Sequence, residues 1–143
     1  MNEKAGLALG LNSLLHTAHA AQTEVESKLG VLGLSMAKLL ALKTLFDAGE
    51  GLQLGRLAGR LSCVKSNITQ LVDRLEADGF VARRAYAGDR RTRIAVLTAA
   101  GRKACKEGTR VQQEAEREIL ATLTRSEAQQ LAKLLGKVGR SRG

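Results

Sequence analysis

Proline is absent from all 143 residues, aromatic side chains make up only 2% of them, and there are just two cysteines. Each shortage excludes something. The absence of proline and the dominance of Leu, Ala, Lys, Arg and Glu favour long helices. With 44% hydrophobic residues but so few rings, the core has to be built from Leu, Ala and Val. Cys63 and Cys105 stand far apart, giving neither a disulfide framework nor a zinc spacing, which points to a reducing, cytoplasmic setting. No apolar run approaches the roughly 20 residues of a bilayer crossing, so no membrane partner is expected. No Ser/His/Asp grouping, paired acids or glycine-rich phosphate loop stands in a credible context, so neither catalysis nor a cofactor is expected.

One stretch imitates a signal peptide. "KAGLALGLNSLLHTAHA" begins with Lys4, continues apolar and ends on the small-x-small triplet Ala18-His19-Ala20. Asn12 and Ser13 interrupt the apolar run, however. Leu7, Leu11, Leu14, Leu15, Ala18, Gln22, Val25 and Leu29 continue a helical stripe, broken only at Gln22, well past the supposed cleavage point. The stretch is read as helix.

The chain is long enough for one domain with its own core. Its pattern predicts a mainly α fold with a small β-hairpin. The helices are expected over residues 4–29, from a Ser35 cap to Ala48, over 54–61, around Ile68–Leu75, from a Thr98 cap to about Leu123, and from Thr124 or Ser126 onward. The second helix carries Met36, Leu39, Leu42, Leu45 and Phe46 on its apolar side. The third and fourth share an i, i+3, i+4, i+7 stripe, Leu54/Leu57/Ala58/Leu61 and Ile68/Leu71/Val72/Leu75, across a short turn. That is a helix-turn-helix. Residues 80–86 and 93–97 form the hairpin, with Ile94 and Val96 on one face.

The net charge of +9 is unevenly spread. Residues 56–93 hold nine Lys/Arg against four Asp/Glu, and residues 131–143 hold four cations and no acid. Together they account for the whole surplus, which attracts polyanions such as nucleic acid or anionic membrane. On the fourth helix the core stripe leaves Ser66, Gln70 and Asp73 facing outward, flanked by Asn67 and Thr69, with Ser62 and Lys65 at the amino-terminal end. Arg74 also belongs to the candidate nucleic-acid contacts. Gln and Asn side chains can read adenine, and Ser or Thr can meet a base or a phosphate.

The hairpin gathers Arg83, Arg84, Arg90, Arg91 and Arg93 around a single acid, Asp89. Such a ribbon can lie along a phosphate backbone and send an arginine into the minor groove. Asp89 is expected to pair with one guanidinium and hold it in that pose.

"LGRLAGRLSCVKSNITQLVDRLEADGFVARRAYAGDRRTRIAVLTAAGR", Leu54 to Arg102, resembles the winged helix-turn-helix of the MarR family, the multiple-antibiotic-resistance type of bacterial regulator. "ITQLVDRLEADGFVAR", the Asp89-x-Arg91 pair and "LTAAGR" carry the likeness, and the flanking helices have the family's order. The resemblance implies a single domain over 1–143. Residues 34–98 would be a DNA-binding lobe, and residues 1–30 and 99–143 helices that interlock two copies on a pseudo-palindromic operator in double-stranded DNA. It implies a repressor released by a small, often phenolic or anionic, effector. Where the family often starts the recognition helix with Ser or Thr, this chain has Val64, leaving Ser62, Cys63 or Ser66 to cap it.

His16 and His19, at i, i+3 on the first helix, and Met36 are the candidates to line an effector pocket. Without a carboxylate cluster the histidines make no metal site. Cys63, in the turn, reads as a packing thiol, with oxidation as the competing role. Two alternatives stay open: an architectural DNA-coating protein with little sequence readout, and a metal- or redox-sensing member of the same fold.

Overall fold

Ser35 does what a short hydroxyl does at a helix start. In the computed structural model its side chain accepts the Lys38 amide at 3.1 Å, and α2 (Met36–Ala48) begins there. The structure describes residues 3–62 and 65–140, with the side chains of 3–9, Lys65 and Ser66 outside that description. Before α2, α1 (Glu3–Gly30) runs unbroken through the segment that imitates a signal peptide. Gly49, at φ 77, closes α2 by donating to the Leu45 and Phe46 carbonyls.

There follow β1 (Leu52–Gln53), α3 (Leu54–Arg60), α4 (Lys65–Ala77), β2 (Val81–Tyr86), β3 (Asp89–Leu97), α5 (Ala99–Ile119) and α6 (Arg125–Arg140). The three strands form an antiparallel sheet in the order β1-β3-β2. Leu52 pairs with Ala95 and Val81 with Leu97.

Three expectations need correcting. β3 starts at Asp89 rather than 93, because Tyr86 pairs directly with Asp89 across the two-residue turn Ala87-Gly88. Arg90 and Arg91 are therefore strand residues, not turn residues. α5 ends at Ile119, short of Leu123. β1 was not anticipated at all: two residues are too few to show alternation, and only tertiary pairing makes them a strand. Gly51 lets it in. At φ 94 it passes so close to β3 that a Cβ would come within 2.6 Å of Val96 and 2.7 Å of the Ala95 carbonyl.

The core joins the end of α1 (Val25, Leu29) to Leu39, Leu42 and Leu45 of α2, Leu57 of α3, the stripe Ile68, Val72 and Leu75 of α4, Val81 and Ala95 of the sheet, and Ala104 and Ala115 of α5. Leu42, Leu57, Ile68 and Leu75 are wholly buried, each contributing about 1.5–3 kcal/mol. On β3 the inward residue is Ala95; Ile94 and Val96 are only partly buried. Phe46, placed on the apolar side of α2, is 39% exposed, with the Arg102 guanidinium 6.0 Å from its ring centroid.

Thr98 joins the sheet to α5. Its hydroxyl donates to the Gly79 carbonyl at 2.6 Å and accepts the Gly101 amide at 3.0 Å, while its own amide donates to Phe80. Gly101 then lies flat on that turn, where any Cβ would overlap the Phe80 carbonyl oxygen. This is the physical content of "LTAAGR": a cap and a close approach that fix α5 on the hairpin.

Candidate nucleic-acid interface

Burial of Ile68, Val72 and Leu75 settles which way α4 faces. Asn67, Thr69, Gln70, Asp73 and Arg74 all lie on its exposed side. Ser62, at φ 53, stands exposed just before the helix. Cys63 and Val64 lie outside the described residues, as do the side chains of Lys65 and Ser66, so the capping of α4 and those two candidate contacts lie there too.

The wing splits its arginines by function. Arg83 does not join an anion-binding cluster. Its guanidinium reaches Asp73 at 2.5 Å and Glu76 at 3.1 Å, and its amide donates to the second Glu76 oxygen at 3.2 Å. These bonds, chiefly the one to Asp73, raise the guanidinium pKa further. Asp73, read from the sequence as an outward polar group, is thus half of a clamp tying the wing to α4. Sequence spacing hides this, because the two residues meet only when β2 folds back along the helix.

Arg84, Arg90, Arg91 and Arg93 are exposed, as is Asp89. The expected Asp89–arginine ion pair is not among those made by the described residues. Instead one Asp89 oxygen accepts the Arg91 amide at 2.9 Å and the other the Thr92 hydroxyl at 3.2 Å. The carboxylate braces the start of β3 through the Arg91 amide and the Thr92 hydroxyl rather than by gripping a guanidinium. In a two-residue turn its nearest donors are the amide and hydroxyl two and three positions on.

A pattern follows from these pairings. The other acids of residues 56–93 are engaged internally: Asp73 and Glu76 with Arg83, and Asp78 with Lys38 of α2 at 2.7 Å. Among the described residues, Arg74, Arg84, Arg90, Arg91 and Arg93 make no ion pair. Nor do Arg56 and Arg60 of α3, which the sequence reading passed over although they lie exposed on a helix that buries Leu57 and Ala58. The polar face of α4 is bordered by cations whose local counter-charges are spent elsewhere.

Comparison with known proteins agrees with this architecture. The sequence profile of the MarR family matches residues 34–92. The chain is 32% identical over 116 residues to the HTH-type transcriptional repressor Rv2887 of Mycobacterium tuberculosis, covering 81% of this chain and 83% of that one. It belongs to the MarR family. Among solved structures, the transcriptional regulator BldR from Sulfolobus solfataricus superimposes with a TM-score of 0.74 at 28% identity, over 98% of this chain and 99% of that one. A mutant MarR from E. coli, complexed with operator DNA, shares the fold with a TM-score of 0.79 at 24% identity, over 96% and 99% of the two chains. The chain is therefore a MarR-family transcriptional regulator with a winged helix-turn-helix between long flanking helices.

The expected effector residues fall in separate places. His16 and His19 are exposed on α1. Met36 lines a cleft of about 230 Å³ with Leu40, Lys43 and Gln112. A wider cleft of about 420 Å³ between α2 and α5 is lined by Lys43, Phe46, Asp47, Cys105, Lys106, Thr109, Arg110 and Gln113. Lys43 borders both and donates to Gln112 at 2.6 Å. The sequence held no signal for this wider cleft, since its walls come from two helices about 60 residues apart. Burial pushes the Cys105 thiol up, with Thr109 and Lys43 opposing, which disfavours a reactive thiolate at that position. Among the described residues no group of three or more His, Cys, Asp or Glu could hold a metal ion, and no helix is long and apolar enough to cross a membrane.

Proposed function

We propose that this regulator is a homodimeric, sequence-specific repressor that binds double-stranded operator DNA through residues 34–98. The observation that carries the proposal is the exposed polar face of α4, bordered by wing arginines that make no ion pair among the described residues. α4 enters the major groove, where Asn67, Thr69 and Gln70 meet base edges. The wing arginines Arg84, Arg90, Arg91 and Arg93 meet the backbone and the adjacent minor groove. Neutralisation by phosphate relieves the repulsion among them.

Dimerisation through residues 1–30 and 99–143 is supported by what α1 and α6 leave uncovered. Leu11, Leu14 and Leu15 of α1 are 40–59% exposed, and Leu131, Leu134, Leu135 and Val138 of α6 are 37–50% exposed. α6 buries none of its residues within the protomer. A groove of about 440 Å³ between α5 and α6, walled by Leu120, Ala128, Leu131, Ala132 and Leu135, fits an apolar helix of a second copy. A two-fold pair would set two recognition helices about 34–36 Å apart. His16 and His19 would then lie at the junction of the two copies.

For release, the α2–α5 cleft suits a small anionic or phenolic effector: Phe46 offers a ring, and Lys43, Lys106 and Arg110 outnumber Asp47. The test is selection of bound sites from random duplexes, followed by footprinting with and without aromatic carboxylates and phenols. A short protected pseudo-palindrome, lost on adding an effector, is expected; uniform coverage identifies an architectural coating protein instead. Gln70→Ala should relax preference at one operator position without changing the slope of log affinity against log salt. An equal loss on every sequence would remove α4 from base reading.

A further inference from the structure

The face of α3 turned away from the core has no task in the fold. Leu57 and Ala58 are buried, while Gly55, Arg56, Gly59 and Arg60 are exposed. Arg56 and Arg60 stand one turn apart, close enough to repel each other. Neither makes an ion pair among the described residues. Within residues 56–93 every acid is already engaged, Asp73, Glu76 and Asp78 by cations and Asp89 by the start of β3. Glu50, outside that range, lines a cleft with Arg56 but makes no ion pair with either arginine among the described residues.

Its position completes the observation. Arg56 shares a cleft of about 250 Å³ with Glu50, with Gln53 of β1 and with Tyr86 and Ile94 of the wing. Ile94 is the cross-strand partner of Arg84, so both project from the same face of the sheet. The cations of the wing thus continue across β1 onto α3. α3 is also the first helix of the helix-turn-helix, the one that crosses the sugar-phosphate backbone when its successor enters the groove. The face is low as well as basic: a Cβ at Gly55 or Gly59 would meet no atom within 4 Å, so the helix surface beside the two arginines is open.

We propose that Arg56 and Arg60 form a phosphate-binding surface separate from the α4 and wing contacts, and that its ligand is the backbone of the operator duplex. The inference rests on the DNA-binding reading above. Contacts of this kind fix position along the duplex and carry no base information. They are measured by salt dependence, each phosphate neutralised adding about 0.9 to the magnitude of the slope of log affinity against log salt.

The experiment uses the full chain and the operator recovered by selection, titrated over a range of salt. Arg56→Ala and Arg60→Ala should each lower the slope magnitude by about 0.9, and the double variant by about 1.8. At 0.1 M salt each loss corresponds to about eightfold weaker binding. It should fall equally on operator and on random duplex, leaving their ratio unchanged. Arg56→Lys and Arg60→Lys should keep the slope, and thermal melting identifies any variant that is merely unfolded. Phosphate ethylation interference should lose backbone positions with the alanine variants but keep the base footprint. A folded double-alanine variant with the wild-type slope overturns this surface and leaves the rest of the DNA reading standing. A wild type that binds no duplex overturns both.

Discussion

At Arg83 a single side chain joins two elements with different tasks. Its bonds to Asp73 and Glu76 are partly exposed, the three side chains being 23%, 58% and 44% accessible, so solvent screens them. Arg83→Ala should therefore cost only about 1 kcal/mol in a urea melt. Its effect on DNA should be of another kind. Freed from α4, the wing loses its pose, and affinity should fall with the salt slope unchanged. A drop in slope by about 0.9 would make Arg83 a phosphate contact instead. Asp89 offers a second test at this scale. Asp89→Ala removes an acid from a cationic wing, yet it should weaken DNA binding because Arg91 and Thr92 lose their acceptors. Asp89→Asn keeps an acceptor and should recover most of the loss; tighter binding by the alanine variant would overturn the bracing role.

Among the elements, α6 depends most on its own ends, since it buries nothing in the protomer. Its start is a capping box. The Glu127 amide donates to the Thr124 hydroxyl at 3.1 Å, and the Thr124 amide donates to the Glu127 carboxylate at 3.0 Å. These bonds, the one from the Thr124 amide foremost, hold the Glu127 carboxyl below the usual carboxylate range. A depressed acid stabilises the folded state fully above its unfolded pKa. That contribution is lost as pH falls through the folded value. Hydrogen exchange at the first turn of α6 should accordingly quicken below the ordinary Glu range. Glu127→Gln should exchange faster at neutral pH and lose the acid dependence. An acid response that survives in Glu127→Gln belongs to another group.

For the whole molecule, Leu11, Leu14 and Leu15 of α1 and Leu131, Leu134 and Leu135 of α6 stand exposed on the protomer. Helices of this kind are marginal in water without tertiary packing, so their stability is tied to assembly. Deleting residues 1–20, or introducing Leu134→Asp with Leu135→Asp, should convert a dimer to a monomer or an aggregate by sedimentation. Operator affinity should fall with it, because two half-sites are no longer engaged together. A well-behaved monomer that still binds a full operator tightly would refute the arrangement.

The helices, their caps at Ser35 and Thr98, the helix-turn-helix stripe and the basic character of the lobe were all legible in the sequence. Each depends on residues within a turn or two of one another, where periodicity and side-chain chemistry act directly. What only the tertiary structure decided involves partners distant in the chain. β1 exists because Gly51 lets Leu52 and Gln53 lie against β3. Arg83 left the group of exposed arginines because the fold brought Asp73 and Glu76 to it. Arg56 and Arg60 gained importance only once Asp73, Glu76, Asp78 and Asp89 were found engaged elsewhere. Net charge is a property of composition, but which charges remain uncompensated depends on who stands next to whom, and that is settled by packing.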